Sequence, residues 1–363
     1  YMNERTKIDF VIAWVDGADP AWQAKKIKYT AAPTQKAAQE VAQETAQDAT
    51  GRSAAEGNEK TSGSDYRYRD WGTLRYLFRS IEKYASWVHR VYLVTDAQKP
   101  DWLDEANPKV RIVDHKDFIP KEYLPTFNAN TIELNLHRIP GLSEQFVFFN
   151  DDFLLTHKTK PEDFFYQGLP ADEAALNGIN GKDPEFAGIQ FANMNLVNRH
   201  YDRNAILKNL ADWMRPSYGK ENLRTLLLLP FKRLQGIYNP HGPMPLLKRT
   251  CEKVWERDGN VLDQTCLHMI RTASDVTSYV FRYEQLLSGD FFAKRARNAY
   301  HEVSETAREL RGALHDERYL SVCLNDVEMS QREYVRKREE LKKVLDGKYL
   351  AMSTFERRQE NVK

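Results

Sequence analysis

The sequence predicts an α/β fold built on a mostly parallel sheet. Three observations carry that expectation. Short apolar runs of strand length, Ile8–Val15, Val91–Thr95 and Phe146–Phe149, each stop at acidic or amide residues, as buried parallel strands do where they reach a loop. Amphipathic helical stretches lie between the runs. The length of 363 residues suits about two domains, or one α/β domain with insertions.

Composition narrows the partners. Lys plus Arg total 53 against 52 Asp plus Glu, so no bulk charge draws the chain to nucleic acid, and any anion site must be local. The three cysteines, Cys251, Cys266 and Cys323, are odd in number and lack metal-ligand spacing. They read as ordinary buried thiols in a reducing compartment, not as a zinc site. No stretch approaches the ~20 apolar residues that span a bilayer, and Tyr1–Lys7 has no signal-peptide core. The expectation is a soluble, cytoplasmic protein, with a peripheral position at the inner face of a bacterial membrane as a further option.

In chain order, the first strand carries Trp14 near its end and runs into Asp16-Gly17. Such a turn can present a carboxylate and bare backbone N–H groups to a nucleotide; a hairpin would need no function, but no second strand follows directly. Residues 30–64 hold only Val41 as a larger aliphatic and read as a mobile low-complexity insertion. Leu74, Leu77, Phe78 and Ile81 then recur at helical spacing. Arg75 and Arg79 share another stripe of that helix and form, with Arg69, a candidate phosphate-binding cluster, against the plainer reading of a solvated basic face. Val91–Thr95 ends at Asp96, and Val110–Val113 is a further strand. Leu124-Pro-Thr-Phe-Asn128 leads into a helix over Asn130–Ile139. There Glu133 and His137, four apart, read as support for a metal or a substrate hydroxyl, or as a surface pair.

Phe146–Leu155 reads Phe-Val-Phe-Phe-Asn-Asp-Asp-Phe-Leu-Leu, an apolar strand that stops at Asn150, Asp151 and Asp152. Two ionised carboxylates beside an apolar strand cost several kcal/mol unless a cation or a set of donors compensates them. Oxygen ligation favours Mg2+ or Mn2+ completed by substrate phosphates. The competing reading is a turn or helix cap. Helices around Asn204–Met214 and Leu223–Leu234 suggest a helical subdomain. His241 follows in a loop stiffened by three prolines, as a candidate acid or base. Arg271 lies in the loop entering a helix over Val276–Leu287, with Asp275 near its cap. Cys323-Leu-Asn325-Asp326 repeats the apolar-then-Asn-Asp pattern in miniature. Ser330–Leu345 is a charged helix read as solvated, with contact to a membrane or partner as the alternative.

The expected organisation is an α/β core at 1–29 and 65–200, the insertion at 30–64, a helical subdomain at 201–238, the rest of the catalytic core at 239–327, and a charged helical segment at 328–363.

Four blocks carry a family resemblance: Ile8–Gly17; Arg69 through Asp152, including Leu124-Pro-Thr-Phe-Asn-Ala-Asn-Thr-Ile-Glu; Pro240–Lys248 with Arg271–Asp275; and Cys323–Asp326. In that order the chain resembles the Stealth family of sugar-phosphate transferases, which includes bacterial capsular-polysaccharide phosphotransferases and the animal enzyme that tags lysosomal glycoproteins with N-acetylglucosamine phosphate. The resemblance implies a nucleotide-sugar-binding sheet of GT-A or Rossmann-like type, a nucleotide-sugar donor with UDP-N-acetylglucosamine favoured, an oligosaccharide or polysaccharide acceptor, and a phosphodiester product.

Laid against that reaction, Asp151, Asp152 and Asp326 are the expected metal ligands. Arg271 with one or more of Arg69, Arg75 and Arg79 would bind phosphate oxygens. His241 would be the base or carry a covalent phosphate, with Asp275 orienting it or the acceptor and Asp16 in reserve. Trp14, Gly17, Asp96, Asn128, Glu133, His137, Asn150 and Asn325 complete the expected substrate-binding set. A conventional metal-dependent glycosyltransferase and a non-catalytic polysaccharide-binding protein are the alternatives.

Overall fold

The computed structural model describes residues 7–30, 65–181 and 183–357; the expected insertion therefore lies almost wholly outside the described residues. Eleven strands follow in order among them: β1 Ile8–Ala13, β2 Arg90–Thr95, β3 Val110–Asp114, β4 Gln145–Asn150, β5 Phe153–Leu155, β6 Phe165–Tyr166, β7 Leu169–Asp172, β8 Met244–Leu247, β9 Phe292–Ala293, β10 Asn298–Glu302 and β11 Ser321–Asn325. The central sheet has the order β3-β2-β1-β4-β8. It is parallel except for β8, which runs antiparallel to β4 at the edge. The chain is thus α/β with a mostly parallel sheet, as its strand pattern predicts.

Why β1 and β4 read as unbroken apolar runs is now plain, since both faces of the sheet are covered. On one face Phe10, Ile12, Leu93, Val147 and Phe149 pack with Leu74, Leu77, Phe78 and Ile81 of the helix Thr73–Tyr84. On the other, Val11, Tyr92, Val94, Phe146 and Phe148 meet Leu134, Val254, Leu262 and Phe281. Alternate residues of one strand therefore feed two separate cores. Beyond β4 the chain turns through Asp151-Asp152 into β5, which joins a second sheet of order β10-β11-β5. That turn places the acidic pair between two sheets.

Some expected elements differ. The anticipated long helices after residue 200 are the short pieces Arg203–Lys208, Leu210–Trp213 and Lys220–Leu228. The helix after Asn128 ends at Asn135 and tightens into a 3-10 turn over Leu136–Arg138. The C-terminal helix Gln331–Asp346, capped by Ser330, is not a free solvated rod: it buries Lys337, Leu341, Val344 and Leu345. The three cysteines are buried and free.

Arg75 and Arg79 do not join Arg69 in a phosphate cluster. Both reach Glu356, at 2.5 Å and 2.7 Å, and Arg79 also donates to the Tyr349 carbonyl. Glu356 is fully buried, and although burial alone would raise its pKa, the Arg79 hydrogen bond, the Ser353 backbone N–H and Arg75 bring it down to about 2. A carboxyl depressed in the folded state contributes stability that is complete above its unfolded pKa and fades as pH falls through the folded one. Glu356→Gln is expected to cost on the order of 3 kcal/mol at pH 7. The wild-type advantage should shrink between pH 4.5 and about 2, followed by urea melts across that range, with turnover at neutral pH little changed.

Candidate active site

The carboxyl ends of β1, β4 and β11 converge on a run of acids. Asp16, Asp151 and Asp326 follow their strands because buried apolar residues hold each strand to its end and the chain then turns outward, whereas Asp70 comes from the turn before the helix Thr73–Tyr84. Burial raises Asp70, with the nearby Asp16 charge adding to the shift. Burial, then Asp152 and Asp70, hold Asp151 well above the usual carboxylate range. Asp152 is pushed up to about 6 by burial with Asp326 opposing its charge, and Asp326 is raised by its own burial. Asp16, Asp70, Asp151, Asp152 and Asp326 therefore form a continuous chain of like charges, each within electrostatic reach of the next.

This run is poorly compensated. Asp152 Oδ1 and Asp326 Oδ2 are buried without a hydrogen-bond partner. The Cys323 thiol donates a long 3.5 Å contact to the other Asp152 oxygen. The indoles of Trp14 and Trp71 lie near enough to Asp70 and Asp326 to lower their pKa, yet neither N–H meets hydrogen-bond geometry. Two cations lie near: the Arg338 charge acts on Asp70, and that of Arg69 acts on Asp326. One Arg69 nitrogen donates to the Met329 carbonyl, another is buried and unpartnered among the described residues, and its guanidinium lies 5.1 Å from the Tyr334 ring centroid. Tyr334 also donates to the Asp70 carbonyl at 2.7 Å, so the C-terminal helix closes one side of the site.

Orphaned carboxylate oxygens on two neighbouring aspartates suit a divalent cation that takes its remaining ligands from water and substrate phosphates. Among the described residues no three His, Cys, Asp or Glu side chains are gathered into a complete protein-only metal set. Of the three expected ligands, Asp152 and Asp326 carry the orphaned oxygens, and Asp151 lies beside them with the charges of Asp152 and Asp70 both acting on it.

Gly17 sits where a Cβ would come within 2.1 Å of the Tyr68 carbonyl oxygen, to which its own N–H donates. Asp16 keeps its side chain for the Ala18 N–H while its backbone is clamped by Gln98. Asp96 is salt-bridged to Lys25 at 2.6 Å. Asn150 is exposed at the end of β4, and Asn325 donates to the Asp326 carbonyl.

His241 approaches from another direction. Its ring lies 5.0 Å, centroid to centroid, from that of Tyr300. Tyr300 pairs with Cys323 across β10 and β11, and the Asp152 charge is felt at its phenol. Gly242 lets the loop press on Asn298, where a Cβ would come within 2.3 Å of the side-chain carbon. The imidazole keeps an exposed edge, yet enough protein surrounds it for desolvation to hold its pKa below the ordinary value. Among the described residues no hydrogen bond engages either ring nitrogen. A cavity of about 60 Å³ opens beside this loop, lined by Pro240, Gly242, Pro243, Arg295 and Asn298 among others.

Asp275 does not orient His241. It is fully buried and accepts from Asn128 Nδ2 at 2.7 Å, Asn130 Nδ2 at 3.2 Å, His268 Nδ1 at 2.6 Å, and the Thr272 N–H and hydroxyl. Asn128, expected on substrate, instead caps the helix Ala129–Asn135 and ties it to this knot. The knot holds the loop carrying Arg271, whose guanidinium makes no hydrogen bond among the described residues and whose charge reaches Glu133. Glu133 accepts from the Ser278 hydroxyl. His137 turns the other way, between Trp255 and Phe281, with burial lowering its pKa to about 3. The helix ends before the pair can form. Sequence reasoning missed Asp70, Tyr300 and His268. Asp70 stood inside a quoted motif, but nothing local distinguishes the other two.

Strand ends that gather unsatisfied carboxylates beside an arginine with one orphaned nitrogen, and near a histidine, have what phosphoryl transfer requires of an enzyme. Comparison with known proteins points the same way. Residues 6–32 match the family model described as Stealth protein CR1, conserved region 1, and residues 67–171 match Stealth protein CR2, conserved region 2. The chain is 39% identical over 323 residues to receptor polysaccharide phosphotransferase WefC of Streptococcus oralis, covering 88% of this chain and 90% of the relative. It is 37% identical over 324 residues to capsular polysaccharide phosphotransferase WcwK of Streptococcus pneumoniae, at 88% and 91% coverage. Exopolysaccharide phosphotransferase cps2G of Lactiplantibacillus plantarum is 33% identical over 355 residues, 96% of both chains. The chain belongs to the Stealth family and is a phosphotransferase.

Proposed function

We propose that this enzyme moves a sugar 1-phosphate from a nucleotide diphosphosugar to a glycan hydroxyl, building phosphodiester links in a cell-surface or capsular polysaccharide. UDP-N-acetylglucosamine is the favoured donor. The observation that carries this reading is the meeting of the orphaned Asp152 and Asp326 oxygens with Arg69 on one side and the tilted Tyr300–His241 ring contact on the other. The polysaccharide phosphotransferase names of the relatives support it, and the strand order suits a GT-A-like nucleotide-sugar sheet.

In the proposed reaction the acceptor oxygen attacks the sugar-bearing phosphorus. The bond from that phosphorus to the oxygen bridging it to the nucleoside phosphate breaks, and a nucleoside monophosphate leaves. His241 takes the acceptor proton; its lowered pKa keeps the imidazole neutral and ready at pH 7. Arg69 and Arg271 bind phosphoryl oxygens. Asp152 and Asp326 would hold Mg2+ or Mn2+, which when bound neutralises charge on the diphosphate.

The His268–Asp275 pair favours a second reading of the base. Its geometry is that of an imidazole oriented by a buried carboxylate, with Nε2 left to accept a proton. Should His268→Ala abolish turnover and His241→Ala leave it intact, this second reading prevails. Chelation tests the metal: EDTA should stop nucleotide-sugar turnover, and Mg2+ or Mn2+ should restore it and raise the melting temperature. Full activity in chelator rejects a metal in the reaction.

A further inference from the structure

The helix Lys220–Leu228 is packed the wrong way round for a soluble domain. Its inward positions are polar: Glu221 and Thr225 are buried, and the Thr225 hydroxyl receives the Leu176 N–H at 3.0 Å. Its outward positions are leucines. Leu223, Leu226 and Leu227 are 59%, 57% and 64% exposed, and Phe231, one turn further, is 54% exposed. Spacings of three and four residues put them on one stripe. Arg203 bonds the Pro230 carbonyl, and its N–H bonds that of Lys232. Leu207, one turn along from Arg203 and 45% exposed, therefore extends the same patch.

Charge says what covers this patch. Residues 199–235 hold eight Lys or Arg and three Asp or Glu, a net charge of +5 in a chain whose total is +1. Lys208 and Lys232 are exposed beside the apolar stripe and have no ionic partner among the described residues. An exposed leucine and phenylalanine face edged by cations has the make-up of a surface that lies in the interface of an anionic bilayer. A protein partner would match the leucines but not the surplus of positive charge.

We infer that this face seats the protein on anionic lipid as a peripheral membrane protein. No described helix is long and apolar enough to cross a membrane. Phe231 lies ten residues before His241, so at most about 35 Å of chain separates the patch from the candidate base. An acceptor held at the bilayer is thus within reach of the site. The inference stands independently of the transfer reaction.

Co-sedimentation of the full chain with phosphatidylcholine–phosphatidylglycerol vesicles, and with phosphatidylcholine vesicles alone, tests it. Binding should require the anionic lipid and weaken with salt. Leu226→Gln/Leu227→Gln should weaken it at least about tenfold, given the apolar area withdrawn from lipid contact. Lys208→Glu/Lys232→Glu should do likewise. Both variants should keep the wild-type melting temperature and turnover of soluble substrates. Binding that is equal with and without phosphatidylglycerol overturns the inference, as does leucine-variant binding that matches wild type. A leucine-dependent dimer without vesicle binding overturns it too, and would make the occupant a second copy.

Discussion

His241→Ala is expected to lower kcat by about 10²–10⁴-fold, the usual contribution of a positioned general base. The ring makes a tilted contact with Tyr300 and, among the described residues, no hydrogen bond, so its removal breaks none there, and stability should change by less than about 1 kcal/mol. Donor affinity should hold, because the groups assigned to the diphosphate, Arg69, Arg271, Asp152 and Asp326, do not touch the imidazole. A fall in kcat with donor Kd unchanged marks a group used in the transition state. The acidic limb of the kcat profile should titrate below 6.5, since desolvation lowers this histidine, and should vanish in a variant with residual turnover. Near-normal turnover in His241→Ala would pass the role of base to His268 or Asp16.

The second large effect is at Asp152. Asp152→Asn should cut turnover by more than about 100-fold, since even groups supporting a metal ligand cost about 10–100-fold when removed. The same substitution should raise the melting temperature of the metal-free protein. Asp152 carries a charge that burial and Asp326 both oppose, and an uncharged isostere relieves that conflict. Activity lost together with stability gained is the signature of a site whose strain serves function. A destabilised Asp152→Asn protein would instead mark this carboxylate as a structural anchor. Added Mg2+ should raise the wild-type melting temperature and leave the variant's unchanged.

The central strands and the acidic turn were legible in the sequence because their signals are local. An apolar run covered on both faces has to end somewhere, and acids placed at that end announce themselves. Side chains whose partners lie far along the chain were not legible. Arg75 and Arg79 looked like a phosphate pair until the fold brought Glu356 to them from 281 and 277 residues away. Asp275 looked free to orient His241, yet Asn128 and Asn130 reach it across 147 and 145 residues. Helical periodicity also does not say which stripe faces inward: the segment suggested a helical subdomain, and the fold turns the polar stripe of Lys220–Leu228 to the protein.

The most direct test of the account is the chemistry of the product. The enzyme, Mg2+, a panel of UDP-sugars led by UDP-N-acetylglucosamine, and the polysaccharide acceptor should release uridine monophosphate and leave a phosphodiester signal in the phosphorus NMR spectrum of the glycan. Release of uridine diphosphate with a plain glycosidic link would contradict it.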